Sequence, residues 1–281
     1  MTEPSGELRR GWTTGACATA AAAAAYEALL TGHFPDPVTI TLPGGQTPAF
    51  ALARESLGDG VASAAIVKDA GDDPDVTHGA LVQATVRATE GGGVTFRAGE
   101  GVGTVTLPGL ALAVGEPAIN PGPRKMLSEA ISRVAEANGG NGNVDIEVAI
   151  PGGEKLAGRT MNGRLGIRGG LSVLGTTGIV VPFSCASWIA SIQRGIDVAR
   201  AAGLDHIAAA TGSTSAAFIE ARYDLSEQAL IDMGDFAGGM LKYLRRYPVA
   251  KLTIAGGFAK MAKLAHGEMD LHSARSRVDM D

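Results

Sequence analysis

The stretch 162–182, NGRLGIRGGLSVLGTTGIVVP, divides the sequence into two halves with different patterns. It holds six glycines, two arginines and a set of branched apolar residues. Such a density of glycine is typical of backbone with positive φ or of a close approach by another group. Short strands and turns are predicted before it, and helices alternating with strands after it. The stretch is therefore either a buried connector or a ligand-facing loop in which Thr176 and Thr177 donate hydrogen bonds.

Composition limits the class of protein. The 281 residues suffice for two domains. Lys and Arg number 24 against 29 Asp and Glu, a formal charge of −5 that gives no reason to expect nucleic acid or an anionic membrane as partner. With 40 glycines and 45% hydrophobic residues, the chain should be folded and turn-rich. Two cysteines predict neither a disulfide framework nor a zinc site, and they favour a cytoplasmic location.

An alanine run at 16–25 predicts a helix, since alanine has the highest helical propensity. Thr13 or Thr14 is expected to cap it, and Gly32 to end it near Leu30. The run is too weakly apolar for a membrane span, and no later stretch reaches 18 apolar residues.

Two chemical roles are conceivable at the start of this helix. Its free N–H groups behind Thr13, Thr14 and Gly15 are predicted to form an anion site. Cys17 lies in the first turn, where the helix dipole favours a thiolate. Because no nearby residue supplies a base, a buried thiol is the preferred interpretation.

The first half is rich in predicted strands. The motifs VTITLPGG (38–45) and IEVAIPGG (146–153) alternate in hydrophobicity before the same turn residues, so both predict hairpins and raise the question of an internal duplication. Further strands are predicted at 80–89, 94–98 and 103–107, and a helix with an apolar stripe at 124–138.

The segment 68–79, KDAGDDPDVTHG, crowds four carboxylates into seven positions. Such neighbours repel one another unless a cation, a cap or a proton relieves them. One interpretation is structural, with turns at Asp72 and Asp73 and a cap at Asp75. The alternatives are a divalent-cation site, or carboxylates that face a cationic ligand or a transferable proton.

After Pro182, a helix is followed by three strand–loop–helix units. The strands are predicted at 206–210, 229–233 and 252–255, and each runs into a glycine-containing loop. Alternating strands and helices predict a parallel sheet whose ligands bind beyond the carboxyl ends of the strands. None of the loops matches a P-loop or a dinucleotide fingerprint.

We therefore expect an α/β protein of two domains. An α+β domain rich in short strands and hairpins should span 1–183, and a Rossmann-like three-layer α/β domain with a mainly parallel sheet should span 184–281. The second domain should carry an anion or nucleoside pocket.

A resemblance extends this interpretation. Five blocks resemble, in order, the signature blocks of the cobalt-precorrin-5B C(1)-methyltransferase family of cobalamin biosynthesis. They are GWTTGACATAAAAAA (11–25), VKDAGDDPDVTHG (67–79), GEGVGTVTLPGLALAVGEPAINPGPRKML (99–127), NGRLGIRGGLSVLGTTGIVVPFS (162–184), and GDFAGGML with LTIAGGFAKMAKLAHGEMDLHS (234–273). The blocks cover most of the chain, although the family commonly continues beyond the segment where this sequence stops.

The resemblance implies methyl transfer from S-adenosyl-L-methionine to C-1 of cobalt-precorrin-5B, which gives cobalt-precorrin-6A. Cobalt then enters only as part of the tetrapyrrole substrate. No nucleic acid, membrane or separate metal site is expected, and the oligomeric state stays open, a homodimer among the alternatives.

The expected site residues follow from this reaction. The donor is placed over the carboxyl-end loops, at Gly212, Ser213, Gly234, Asp235, Gly256 and Gly257, with Asp235 suited to ribose hydroxyls. The macrocycle carries many carboxylates, which suit the donors Thr13, Thr14, Arg164, Arg168, Thr176, Thr177, Lys260 and Lys263, with Gly169 and Gly170 beside them. Asp69, Asp72 and Asp73 are the catalytic candidates, near the sulfonium or as a proton acceptor.

Two other classes of function stay open. A magnesium-dependent phosphotransferase of small metabolites would use the acidic segment for the metal and the glycine loops for phosphate. A non-catalytic tetrapyrrole-binding protein would bind the corrinoid without responding to the donor.

Overall fold

A computed structural model describes residues 8–278 of the chain. The chain divides into two units, one of residues 1–106 and 111–183, the other of residues 107–110 and 184–281. Unit 1 contains, in chain order, β1 (Gly11–Trp12), α1 (Thr14–Thr31), β2 (Val38–Thr39), β3 (Ala49–Phe50), β4 (Arg54–Gly58), β5 (Val61–Val67), β6 (Leu81–Ala88), β7 (Val94–Ala98), β8 (Thr104–Val105), α2 (Pro121–Asn138), β9 (Val144–Ala149), α3 (Gly153–Ala157), β10 (Ile167–Arg168) and β11 (Ile179–Val180).

The alanine run forms α1, as predicted. The hydroxyl of Thr13 accepts a hydrogen bond from the Ala16 N–H at 3.1 Å, and Gly32 ends the helix in the left-handed conformation. Every alanine from 20 to 25 is buried. Small side chains all round let α1 approach both α2 and the neighbouring strands closely, so the helix lies inside unit 1.

A five-stranded sheet in the order β4-β5-β6-β9-β7 packs against α1. Its strands pair antiparallel except β7, which runs parallel to β9. Side chains alternate along β6, where Val82, Ala84 and Val86 are fully buried. The β4–β5 hairpin was not among the predicted strands, although its turn, Asp59-Gly60 with φ of 52° and 73°, has a typical hairpin sequence.

Only the first of the two similar motifs is a hairpin. Val38 pairs with Phe50 across the first turn. The second prediction is wrong, because β9 is an interior strand and the turn after it leads into α3. A Cβ on Gly153 would lie 2.4 Å from the carbonyl oxygen of Gly101, so this glycine serves close packing. Both motifs therefore have a strand followed by a Pro-Gly turn, but the chain continues differently after the turn.

Unit 2 is a layered α/β structure. Its elements are α4 (Cys185–Ala201), β12 (His206–Ala210), α5 (Ser213–Arg222), β13 (Leu230–Asp232), α6 (Ala237–Arg246), β14 (Lys251–Ala255) and α7 (Phe258–Ala265). The three strands are parallel in the order β13-β12-β14. Apolar residues of α4 and α6 pack on one face of the sheet, and Ile219 of α5 packs on the other.

The fold class is therefore the predicted one, mixed α/β with a parallel sheet in the second half. Within residues 8–278, no helix has the length and apolar character needed to cross a bilayer.

Candidate functional site

The carboxyl edge of the β13-β12-β14 sheet carries a pocket of about 470 Å³. Because the strands are parallel, the loops that follow them meet at this edge, as the sequence predicts. Two of these loops and the helix starts behind them line the pocket: Thr211, Gly212, Ser213, Thr214, Ser215, Gly257, Phe258, Ala259 and Lys260. A depression of similar volume lies at the opposite end of the sheet, where no helix N-terminus faces it.

At two pocket positions, neither the backbone conformation nor the packing requires a glycine. Gly212 has extended backbone (φ 170°, ψ 176°) and Gly257 has φ −63° and ψ 155°, conformations open to other residues. A Cβ at either position would meet no atom within 4 Å. By contrast, a Cβ on Gly256 would lie 2.9 Å from Thr211 Cγ2, so Gly256 serves packing. The space in front of Gly212 and Gly257 is therefore open.

Both helices at the pocket begin at these glycines. Gly212 caps α5 and Gly257 caps α7, and neither helix has a side-chain cap. The first N–H groups of a helix have no partner within it, and the helix dipole adds partial positive charge there. The pocket therefore favours a carboxylate or another anion.

Asp235 is engaged within the protein. One carboxylate oxygen lies 2.9 Å from Lys260 Nζ, which also donates to the Thr211 carbonyl at 3.4 Å. This ion pair does not exclude a contact between Asp235 and ribose hydroxyls, which stays a prediction. Lys260 ties the loop after β13 to the loop after β12, with its ammonium at the pocket wall.

Lys263, expected to bind the macrocycle, and Gly234, expected to bind the donor, both have roles in the fold. Lys263 is buried, 5% exposed, and its ammonium donates to the Leu271 carbonyl at 3.2 Å, so it does not face the pocket. Gly234 has φ +58°, and a Cβ there would lie 3.3 Å from the indole nitrogen of Trp188. Its positive φ favours glycine, and a Cβ would also be tight against the indole.

Thr13 and Thr14, expected to bind substrate, are both buried. The predicted anion site behind them is wrong, because the protein fills it. The Gly15 N–H donates to the Leu174 carbonyl at 2.9 Å, and the Ala16 N–H donates to the Thr13 hydroxyl. Cys17 is fully buried, and burial raises the pKa of its thiol to about 12, as the buried-thiol interpretation requires.

The stretch 162–182 is mostly a connector within unit 1. A Cβ on Gly170 would lie 2.3 Å from the Gly101 backbone, and Gly169 has φ +82°. Leu171 and Val173 are buried in the core. The exposed part of the stretch includes Arg168, Thr176 and Thr177, and the Thr177 hydroxyl donates to the Ile179 carbonyl at 3.2 Å. Arg164 is half-buried.

The acidic segment faces a residue that the sequence interpretation missed. Arg9 pairs with Asp69 in a bidentate contact, its Nη2 2.9 Å from Oδ1. The hydrogen bond from Arg9, followed by that from the Gly71 N–H, lowers the pKa of Asp69 to about 2. A carboxylate with so low a pKa is a poor proton acceptor at neutral pH, which argues against that role for Asp69.

The other carboxylates of the segment also have protein partners. Asp72 accepts from the Arg9 N–H at 2.6 Å, and Asp73 accepts from the Phe183 N–H at 2.9 Å. Asp75 forms an ion pair with the buried Lys68 and accepts from the Thr77 N–H. The chain does turn at residues 71–73, but the side-chain bond of an Asx turn comes from Asp69, which accepts from the Gly71 N–H; the cap predicted at Asp75 is present. The segment thus holds the start and the end of unit 1 in place.

Comparison with known proteins places these features in one family. The model of the CbiD family matches residues 1–182. A cobalt-precorrin-5B C(1)-methyltransferase from Paramagnetospirillum magneticum is 65% identical over 97% of this chain and 77% of its own length. The proteins of the same name from Bradyrhizobium sp. and Methylorubrum extorquens are 66% and 65% identical over 97% and 99% of this chain, and over 73% and 78% of their own lengths.

One solved structure matches as well. The 1.9 Å crystal structure of the cobalamin biosynthesis protein cbiD from Archaeoglobus fulgidus is 28% identical, with a TM-score of 0.51 over 95% of this chain and 83% of that one. The identities of 65–66% to the named relatives, over 97–99% of this chain, agree with the match to the family model. This chain belongs to the CbiD family, whose relatives are named cobalt-precorrin-5B C(1)-methyltransferases.

Proposed function

We propose that this chain is an S-adenosyl-L-methionine-dependent methyltransferase that methylates C-1 of cobalt-precorrin-5B to give cobalt-precorrin-6A. The observation that carries the proposal is the identity of 65–66% to relatives named for this reaction, over 97–99% of the chain. The similarity therefore includes both units.

The methyl donor binds at the carboxyl edge of the sheet in unit 2. Gly212 and Gly257 support this placement, since they leave open a space that the fold does not use. The donor has an amino-acid carboxylate, which suits the first N–H groups of α5 and α7 and the ammonium of Lys260. Phe258 lies at the pocket and is 76% exposed, so its ring offers an apolar surface to the adenine.

Methyl transfer from a sulfonium does not require a side chain of the protein to act as a nucleophile. When bound, S-adenosyl-L-methionine would supply a methyl group on its sulfonium for in-line transfer to a ring carbon, with S-adenosylhomocysteine as the leaving group. The protein contributes approach geometry and a polarised site of low water content. Within unit 2, Ser213 and Lys260 hold the donor, and Asp235 holds Lys260.

Unit 1 contributes surface for the carboxylates of the macrocycle. Arg168 and Thr176 are exposed on the glycine-rich stretch and offer a charge and a hydroxyl; Arg164 belongs to the same proposal. Asp72 and Asp73 stabilise the fold by accepting hydrogen bonds from the Arg9 and Phe183 N–H groups, and they do not serve as proton acceptors in this proposal.

The two other classes of function have less support. A phosphotransferase would need magnesium at the acidic segment, whose carboxylates are occupied by Arg9, Lys68 and backbone N–H groups. No group of three or more His, Cys, Asp or Glu side chains within 8–278 is placed to hold a metal ion. A non-catalytic tetrapyrrole-binding protein stays distinguishable by experiment.

The test combines turnover with donor binding. The purified chain, given cobalt-precorrin-5B and S-adenosyl-L-methionine, should form the singly methylated product and S-adenosylhomocysteine, followed by mass spectrometry. S-adenosylhomocysteine at 100 times its dissociation constant should stabilise the fold by about 2.7 kcal/mol. Corrinoid binding with neither product nor thermal shift would instead identify a tetrapyrrole-binding protein.

A further inference from the structure

Trp188 lies in the first turn of α4 and reaches the end of a strand of the unit 2 sheet. Its backbone N–H donates to the Ser184 carbonyl at 3.2 Å, and its indole N–H donates to the carbonyl of Asp232, the last residue of β13, also at 3.2 Å. Trp188 is 50% exposed, whereas α4 packs on the sheet through the fully buried Ile192 and Ile196. The indole is therefore directed at the carboxyl end of β13 and is not a core side chain.

The indole also lies against the loop that follows β13. A Cβ on Gly234 would be 3.3 Å from Trp188 Nε1, and the ring of Phe236 lies 6.4 Å from that of Trp188, inclined by 44°. The Gly234 N–H donates to the carbonyl of Ala210, the last residue of β12, at 3.2 Å. The main chain of this loop is thus held both by the indole on α4 and by the neighbouring strand.

Asp235 is the next residue of this loop and connects it to the pocket. Its carboxylate lies 2.9 Å from Lys260 Nζ, and Lys260 lines the pocket. The Leu271 N–H donates to the Asp235 carbonyl at 2.9 Å, which holds the backbone of Asp235 as well. A continuous path of contacts therefore runs from Trp188 through Gly234 and Asp235 to the ammonium at the pocket wall.

We propose that Trp188 is a positioning residue of the donor site: its indole fixes the loop after β13, so that Asp235 holds Lys260 where the carboxylate of the donor binds. The inference rests on the proposed function and adds a residue that is not among the described residues lining the pocket. An indole suits this role because its flat apolar ring packs on Gly234 while the N–H at its edge bonds the Asp232 carbonyl. Phenylalanine has a flat ring but no such N–H.

Trp188→Phe tests the role of the indole N–H. The dissociation constant for S-adenosylhomocysteine, measured by calorimetric titration, should rise about fivefold, because the loop loses one hydrogen bond that holds it. Trp12→Phe is the matched control, since Trp12 packs on Phe50 in unit 1 with 5.5 Å between the ring centroids. This substitution should leave the dissociation constant within about 1.5-fold of wild type, because it removes no contact of the donor site.

A double-mutant cycle distinguishes positioning from a general loss of stability. In an Asp235→Asn background the ion pair with Lys260 is already lost, so adding Trp188→Phe should raise the dissociation constant by less than about twofold. A Trp188 that only stabilised the fold would weaken donor binding by the same factor in both backgrounds. Equal losses of about fivefold in wild type and in Asp235→Asn therefore overturn the proposal.

A second variant covers the case in which Trp188→Phe does not fold. Gly234→Ala places a Cβ 3.3 Å from Trp188 Nε1, so the indole has to shift and donor affinity should again fall. Gly203→Ala controls for backbone strain alone, because Gly203 has a φ of 72° but open space around it, and it should leave donor affinity unchanged.

The outcomes separate this inference from the proposed function. If wild type binds S-adenosylhomocysteine and neither Trp188→Phe nor Gly234→Ala weakens that binding, the role of Trp188 is refuted while the donor site stands. If wild type does not bind S-adenosylhomocysteine at all, the proposed donor site is refuted, and this inference with it.

Discussion

The ammonium of Lys260 lies 2.9 Å from the Asp235 carboxylate and so joins α7 to the loop that follows β13. Lys260 also bonds the Thr211 carbonyl, so one side chain connects the loops after all three strands of the unit 2 sheet. Both partners are partly exposed, 35% and 21%. A pair of this kind contributes little to stability but can position a charge at a ligand site.

Asp235→Asn should therefore separate binding from stability. We expect the free energy of unfolding to change by no more than about 1 kcal/mol, since the pair is solvent-screened. The dissociation constant for S-adenosylhomocysteine should rise about tenfold, because Lys260 is no longer held at the pocket wall. Urea unfolding and calorimetric titration measure the two quantities. Arg194→Gln is the control, since it breaks an exposed ion pair with Asp197 on α4; equal effects of both variants on affinity would contradict the positioning role.

The glycine caps give a second prediction. Gly212→Ser and Gly257→Ser add a better helix cap in open space and an allowed conformation, so stability should hold or rise by a few tenths of a kcal/mol. Donor affinity should nevertheless fall, because the added side chain enters the space kept for the ligand. Gly256→Ser should instead lower the melting temperature, since its Cβ would crowd Thr211. Unchanged donor affinity in both cap variants would place the donor elsewhere.

Local features of the fold were predictable from the sequence. The α1 caps and the apolar stripe of α2 depend on neighbours within a few positions. The parallel direction of the strands in 206–255 follows from the alternation of strands and helices. Residues that meet across long separations were not predictable. Arg9 and Asp69 are 60 positions apart, and nothing near Arg9 in the sequence indicates a carboxylate partner.

Turn sequences were informative only where tertiary pairing agreed with them. Pro-Gly-Gly ends a hairpin at 43–45, yet the same residues at 151–153 lead into α3, because β9 is paired on both sides by strands distant in sequence. At the candidate site, the glycines were predicted as a group. Only the structure distinguishes these glycines. Gly212 and Gly257 have open space around them, whereas Gly234 has a positive φ and Gly256 is closely packed.

Gly170 gives the third prediction, which concerns stability. Gly170→Ala should destabilise unit 1 by about 3 kcal/mol, because its Cβ would overlap the Gly101 backbone, which cannot easily move. Gly169→Ala is the matched neighbour: it has open space but φ +82°, so we expect a cost of about 1 kcal/mol. Denaturant unfolding measures both. If both variants changed the free energy of unfolding equally and only slightly, but lost macrocycle binding, residues 162–182 would instead face the ligand.

Because of the Arg9–Asp69 ion pair, the free energy of unfolding of unit 1 should decrease at acidic pH. Asp69 has a folded pKa of about 2, below the ordinary 3.8, because Arg9 stabilises its charged form. A lowered folded pKa contributes stability that is fully present above the unfolded value and is lost as pH falls through about 2. Wild type should therefore lose more stability than Asp69→Asn when the pH is lowered from neutral to about 3. Arg9→Gln should lie between wild type and Asp69→Asn, since it removes the ion pair but leaves the Gly71 N–H bonded to the Asp69 carboxylate.

A control distinguishes this pair from the general acid response of the chain. Glu129→Gln breaks an exposed ion pair with Lys125 on α2, 3.8 Å apart, and should keep the acid dependence of wild type. The three variants and wild type are compared by urea unfolding across the acid range. If Asp69→Asn and Glu129→Gln followed the same curve, Asp69 would not be held charged by Arg9. It would then become available again as a proton acceptor, and the catalytic role that the ion pair argues against would need a direct test by turnover.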